Sequence, residues 1–217
     1  MTVSTPALPL DQAPDEMLVD LIQSIRRNSE HERKLYPGLS NTAALAKATR
    51  LLYQRHERPL INYLNGLCQQ SDLAMDIYQE TWMRIWRTID DWQPKARFST
   101  FLYTVAKHCL SDLYFRKEQK RLFATHSLDD EDNGIAESLQ SCQLSDELLR
   151  EDRATEAYQH CLQQLPIHQR EAFLLSHNHD MTAVEVSEVT GVIAETAKTR
   201  IRYALQKLRL CLGALLE

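Results

Sequence analysis

Glycine is scarce: five residues in a chain of 217. So few turn formers, set against long periodic stretches, exclude a strand-and-turn architecture and predict an all-α protein. The chain also lacks an apolar run long enough to span a bilayer, and its first fourteen residues lack the basic-then-apolar order of a secretory signal. A cytoplasmic protein is the expectation. Five cysteines, at 68, 109, 142, 161 and 211, form no metal-ligand pairs, and their odd number argues against a disulfide framework. We read them as reduced, mostly buried thiols. There is no glycine-rich phosphate loop, nucleophile elbow or His-Glu-x-x-His helix, so no catalytic residue, metal or cofactor is assigned. The run His177-Asn-His179-Asp180 matches no common zinc spacing and reads as a polar loop.

A basic surplus is missing too, since the net charge is −5. The deficit is local. Residues 127–156 carry ten acids and two bases, a balance of −8, which leaves +3 on the rest of the chain. An acidic segment can therefore separate two faces that bind nucleic acid.

What is present divides the chain into a disordered tail over 1–14, a helical domain over 15–124, an acidic linker over 125–145 and a second helical domain over 146–217. Met17, Leu18, Leu21, Ile22 and Ile25 mark a first helix. Residues 26–41, interrupted by Pro37-Gly38, read as a loop or broken helix. The next helix, over 42–67, shows Arg50, Arg55 and Arg58 outward, either as a solvated face or near DNA, and Pro59 is placed to kink it. Leu73, Ile77, Trp82, Ile85 and Ile89 predict a third helix capped by Ser71 or Asp72.

The sharpest signal lies in the fourth. Leu102, Val105, Ala106, Cys109, Leu110 and Leu113 form a buried stripe, behind a Ser99 cap and a Phe98 staple. The other side carries Thr100, Tyr103, Lys107, Ser111, Tyr114 and Arg121, where rings can stack on unpaired bases and cations hold phosphates. In the second domain Thr182-Ala-Val-Glu185 matches a capping box, Gly191 sits at a tight turn, and a longer helix follows from Ala194. That is the helix-turn-helix order.

The run Asp76-x-x-Gln-Glu-Thr, the aromatic helix after it, and Phe98-x-Thr-Phe-Leu-Tyr-x-Val-Ala resemble region two of a bacterial sigma factor of the extracytoplasmic-function (ECF) group. Leu165-Pro-x-x-x-Arg-Glu-Ala-Phe and Thr196-Ala-Lys-Thr-Arg-Ile-Arg-Tyr-Ala resemble region four of the same family. The resemblance implies a non-enzymatic specificity subunit with three contact sets. Asp76, Gln79, Glu80 and Arg84 would meet core RNA polymerase at its beta-prime clamp, while region four reaches the beta flap. Arg97, Thr100, Tyr103, Lys107, His108, Ser111, Tyr114, Arg116 and Lys117 would open and read the minus-ten element. Thr196, Lys198, Thr199, Arg200, Arg202, Tyr203 and Gln206 would read the minus-thirty-five element, with Arg202 and Gln206 suited to base edges and Lys198, Thr199 and Arg200 to phosphates. Family members are often held by an anti-sigma factor. The linker would thread the polymerase near the RNA exit path or serve as a solubilising tether. An ordinary helix-turn-helix regulator, or a sigma-like decoy, are the competing readings. Met75, Asp180, Ile193 and His108 depart from the family pattern.

Overall fold

The computed structural model describes residues 9–27, 40–68, 70–124 and 146–216, with only the backbone for 114–124, 146–152, 178 and 216. Eight α-helices are described there: α1 (Asp15–Arg27), α2 (Asn41–Cys68), α3 (Ser71–Thr88), α4 (Phe98–Ala124), α5 (Asp146–Gln163), α6 (Ile167–Phe173), α7 (Ala183–Thr190) and α8 (Ala194–Leu216). Helices α1 to α4 pack in sequence. α1 lies on α2, α2 on α3, and α3 on α4. The loop or broken helix expected over 26–41 and the linker fall largely outside the described residues.

Local chemistry accounts for the elements, with several corrections. Leu18, Val19, Ile22 and Ile25 are the inward residues of α1, whereas Met17 faces out. Residues 9–14 are ordered rather than a tail: Leu10–Gln12 form a 3-10 turn, and Leu10 and Ala13 are buried. Arg55 is what holds them. Its guanidinium donates to the carbonyls of Ala13 and Asp11 and to the Asp15 carboxylate, all within 2.8 Å. Arg55 is thus a structural cation and leaves the set offered to DNA, while Arg50 and Arg58 stay exposed. Burial works to raise the Asp15 carboxyl, but hydrogen bonds from His56 and Arg55 outweigh it and hold it low.

Helix α2 runs through Pro59. Neither Ser71 nor Asp72 caps α3, whose N-cap position is Gln70. Trp82 of α3 stacks on Tyr53 at 4.1 Å, and Trp86 donates its indole N–H to the Tyr53 hydroxyl at 2.9 Å. The turn after α3 is fixed from α1, where buried Gln23 donates to the carbonyls of Ile89 and Trp92. At the start of α4 the expected Ser99 cap is replaced from afar: the Phe98 N–H donates to Glu16 at 2.9 Å.

The second half packs α8 against α5, α6 and α7. Arg170, buried in α6, ties down the end of α5 by donating to the carbonyls of Gln163 and Leu165. A wide π turn, Leu174–Asn178, leads into α7, and Thr182 and Glu185 form the expected capping box. Gly191 takes φ +69°, the left-handed geometry that ends α7 and turns the chain into α8. Two features run against expectation. Cys161 of α5 and Cys211 of α8 form a disulfide, while Cys68 and Cys109 are buried thiols. The two halves also share one continuous apolar core instead of standing apart.

Candidate polymerase and nucleic-acid interface

Three surfaces come from three helices. On α3, Asp76 and Gln79 are exposed, with Met75 and Met83 beside them as large exposed apolar side chains. Glu80 and Arg84 are half-buried and bound to each other at 2.7 Å, and Arg84 also reaches Asp112 of α4 at 2.7 Å. These two carboxylates hold the guanidinium firmly protonated. The face therefore offers a partner free polar groups at Asp76 and Gln79 and a pre-paired triad next to them.

On α8, Ala197, Ala204 and Leu208 face inward. Lys198, Arg202, Tyr203 and Gln206 are exposed, and Thr196, Thr199 and Arg200 sit at the margins. Arg202 lies over the Tyr203 ring at 5.3 Å. The capping box and Gly191 fix both ends of α7 and so set the turn from it into this helix. All seven expected residues of this set share that one helix.

The third surface is where the expectation fails. Of the residues placed on the outer stripe of α4, Thr100 and Tyr103 are buried, at 3% and 1% exposure. α7 and the residues just before it pack on α4. The Tyr103 hydroxyl and His179 Nδ1 are 2.8 Å apart, and their rings pack 4.5 Å centroid to centroid, next to Tyr63. Lys107 donates to the Thr190 carbonyl at 2.5 Å and lies 4.0 Å from the Glu171 carboxylate. Arg97 is exposed yet paired with Glu185 of α7 at 3.2 Å. His108 and Ser111 remain exposed, and the side chains of Tyr114, Arg116 and Lys117 fall outside the described residues. Helical periodicity finds the buried Leu102, Ala106, Cys109 and Leu110, but it sets Thr100 and Tyr103 on the wrong side. A second interface over the polar stripe was invisible to it, because Tyr and Lys can be covered once distant partners satisfy them, while Thr100 is buried with its hydroxyl unpaired.

Burial dominates the chemistry of this contact. It pushes the Tyr103 and Tyr63 phenols up, pushes the Glu171 carboxyl up against the pull of Lys107, and lowers His179 to about 4. The contact therefore holds a neutral imidazole, with Nε2 buried and without a partner. A second zone joins α2 to the π turn: Leu174 sits against Gly66, and Arg170 reaches the Gly66 carbonyl at 3.4 Å. Sequence reasoning missed His179, Gly66 and Glu171. Their signal was present only as a polar loop, a glycine inside a helix and an acid in an apolar run. His177, the other histidine of that loop, stacks on Phe173 at 4.8 Å.

Comparison with known proteins places these helices. Residues 52–121 match sigma-70 region 2, and residues 155–208 match sigma-70 region 4. The ECF RNA polymerase sigma factor EcfG of Rhodopseudomonas palustris is 26% identical over 143 residues, which is 66% of this chain and 73% of that one. The RNA polymerase sigma factor CarQ of Myxococcus xanthus is 27% identical over 173 residues, covering 76% and 88%. In fold, the chain is similar to the sigma factor RpoE crystallised with the anti-sigma factor NepR from Bartonella quintana, at a TM-score of 0.58 and 18% identity over 77% of this chain and 98% of that one.

Proposed function

The chain belongs to the ECF group of the sigma-70 family and directs RNA polymerase to promoters, and from that premise we propose a division of labour among its three helices. Asp76 and Gln79 of α3, beside Glu80 and Arg84, dock on core polymerase. α8 reads the minus-thirty-five element, with Arg202 and Gln206 at base edges and Lys198, Thr199 and Arg200 at phosphates. α4 opens and holds the minus-ten strand through Thr100, Tyr103 and Lys107, with Arg97, His108 and Ser111 around them. The protein performs no bond chemistry.

The observation that carries this reading is the asymmetry between the surfaces. The α3 and α8 faces are exposed, while the ring of the α4 stripe is covered by His179, just before α7, and its cation is held by the last residue of α7. Polymerase and duplex can be met first, and strand capture waits until α7 leaves α4. Similarity to the anti-sigma-bound RpoE fold supports a further partner, an anti-sigma factor that holds the closed form. Run-off transcription with core enzyme and a genomic promoter library tests the proposal. Transcripts that need the chain and share an upstream element support it. Duplex binding without any such transcript would assign the chain to helix-turn-helix regulators instead.

A further inference from the structure

The disulfide has no part in promoter recognition as described so far. Cys161 is 1% exposed near the end of α5, and Cys211 is half-buried on α8, fifty residues later in the chain. Cys211 continues the inward stripe of Ala197, Ala204 and Leu208. Past Leu208 no described residue of α8 is fully buried: Leu210 is 69% exposed, Leu215 51%, and Gly213 lies between them. Leu212 packs on the core only as a half-buried side chain, so the sulfur bridge is the firm anchor near the end of the helix that carries Arg202, Gln206 and Arg209. A chain that works with RNA polymerase and DNA meets thiol pools that keep cysteines reduced, and disulfides in that setting are transient and regulatory.

We propose that Cys161 and Cys211 are a reversible redox modification site, oxidised by a low-molecular-weight disulfide, and that the bond tightens minus-thirty-five binding by anchoring the end of α8. This rests on the assignment of α8 to DNA. The half-buried Cys211 thiolate attacks one sulfur of glutathione disulfide, forming a mixed disulfide and expelling a glutathione thiolate. Cys161 then loses its proton and attacks Cys211 Sγ, which expels the second glutathione. Two protein thiols are oxidised by two electrons, one glutathione disulfide becomes two thiols, and the two protein thiol protons pass to them. Anchored, the final turns of α8 are ordered before DNA arrives; released, they fray around Gly213 and must be ordered on binding.

The test uses the full chain carrying Cys142→Ser, so that the linker thiol cannot compete. Intact mass and differential alkylation after glutathione disulfide, then after dithiothreitol, should show one bond between Cys161 and Cys211 that forms and reverses. Amide exchange over 209–216 should slow in the oxidised form, and a fluorescent duplex of the promoter used in run-off transcription should bind it roughly fivefold or more tighter. Cys211→Ser should bind as the reduced parent does in either buffer. The proposal is overturned if glutathione disulfide leaves both thiols free, if dithiothreitol fails to release the bond, or if the bond leaves either exchange or affinity unchanged. Absence of any chain-dependent transcript would defeat the sigma assignment alone, since mass and exchange read the switch without DNA.

Discussion

Replacing Gly66 with leucine should open the molecule between α4 and α7. A Cβ at this position would lie 2.8 Å from Leu174 Cδ1 and 3.3 Å from Cδ2, whereas carbon atoms rest at about 3.5–4.0 Å. Alanine there can be met by turning the end of the Leu174 side chain. Leucine brings three more carbons into a zone where Leu174 is 1% exposed, an overpacking that costs about 1–3 kcal/mol. Losing glycine from the last turn of α2 also favours the helix, by less than the roughly 1 kcal/mol of an interior position and equally in open and closed forms, so it leaves their ratio alone. The closed population should fall about 5- to 150-fold relative to the open one. Hydroxyl-radical footprinting reads the change at Tyr103 and Leu174, which should become reactive, while α1 to α3 stay protected. Small-angle scattering should show a radius of gyration rising from that of the parent, and transcription should need less polymerase to reach half its maximum. Unchanged footprints at Tyr103 together with unchanged scattering would refute the wedge, and with it the idea that α2 and the π turn hold the closed form.

Three further outcomes are expected. His179 is held near 4 when closed against an ordinary 6.5, so the open form binds more protons between those values. The stability that His179 lends the closed form is then fully present above about 6.5 and is lost as pH falls toward 4, at about 1.4 kcal/mol per pH unit at most, an effect that His179→Asn should flatten in scattering against pH. Tyr103, Tyr63, Asp180, His56 and Glu171 surround the contact in both proteins; Glu171, raised by burial, works in the opposite direction and is common to the comparison. Asp76→Lys should weaken titration against core polymerase without lowering Tm, because Asp76 is exposed, and unaltered affinity would remove this contact. Arg202→Ala should cost about 1–3 kcal/mol on the specific duplex and relax its selectivity, whereas Lys198→Ala should weaken all duplexes alike and reduce the salt slope by about one; equal losses on scrambled DNA would reassign Arg202 to phosphate.

The sequence by itself determined the helices and what most of them carry. Apolar residues at helical spacing place α1 to α4, Thr182 and Glu185 start α7, Gly191 ends it, and the outward residues of α8 follow from its inward stripe, because all of these are local rules of period and capping. Tertiary structure alone decided which polar side chains remain available. Arg55 reads as a surface cation until Asp15 and the carbonyls of residues 11 and 13 are folded onto it. Tyr103 and Lys107 read as part of an open stripe until His179 and Thr190, more than seventy residues away, supply their partners. Cys161 and Cys211 read as separate thiols until α5 and α8 bring their Cα atoms to 5.7 Å. Periodicity records which face of a helix turns from water; which distant segment then satisfies a polar group on the other face is fixed only when the whole chain packs.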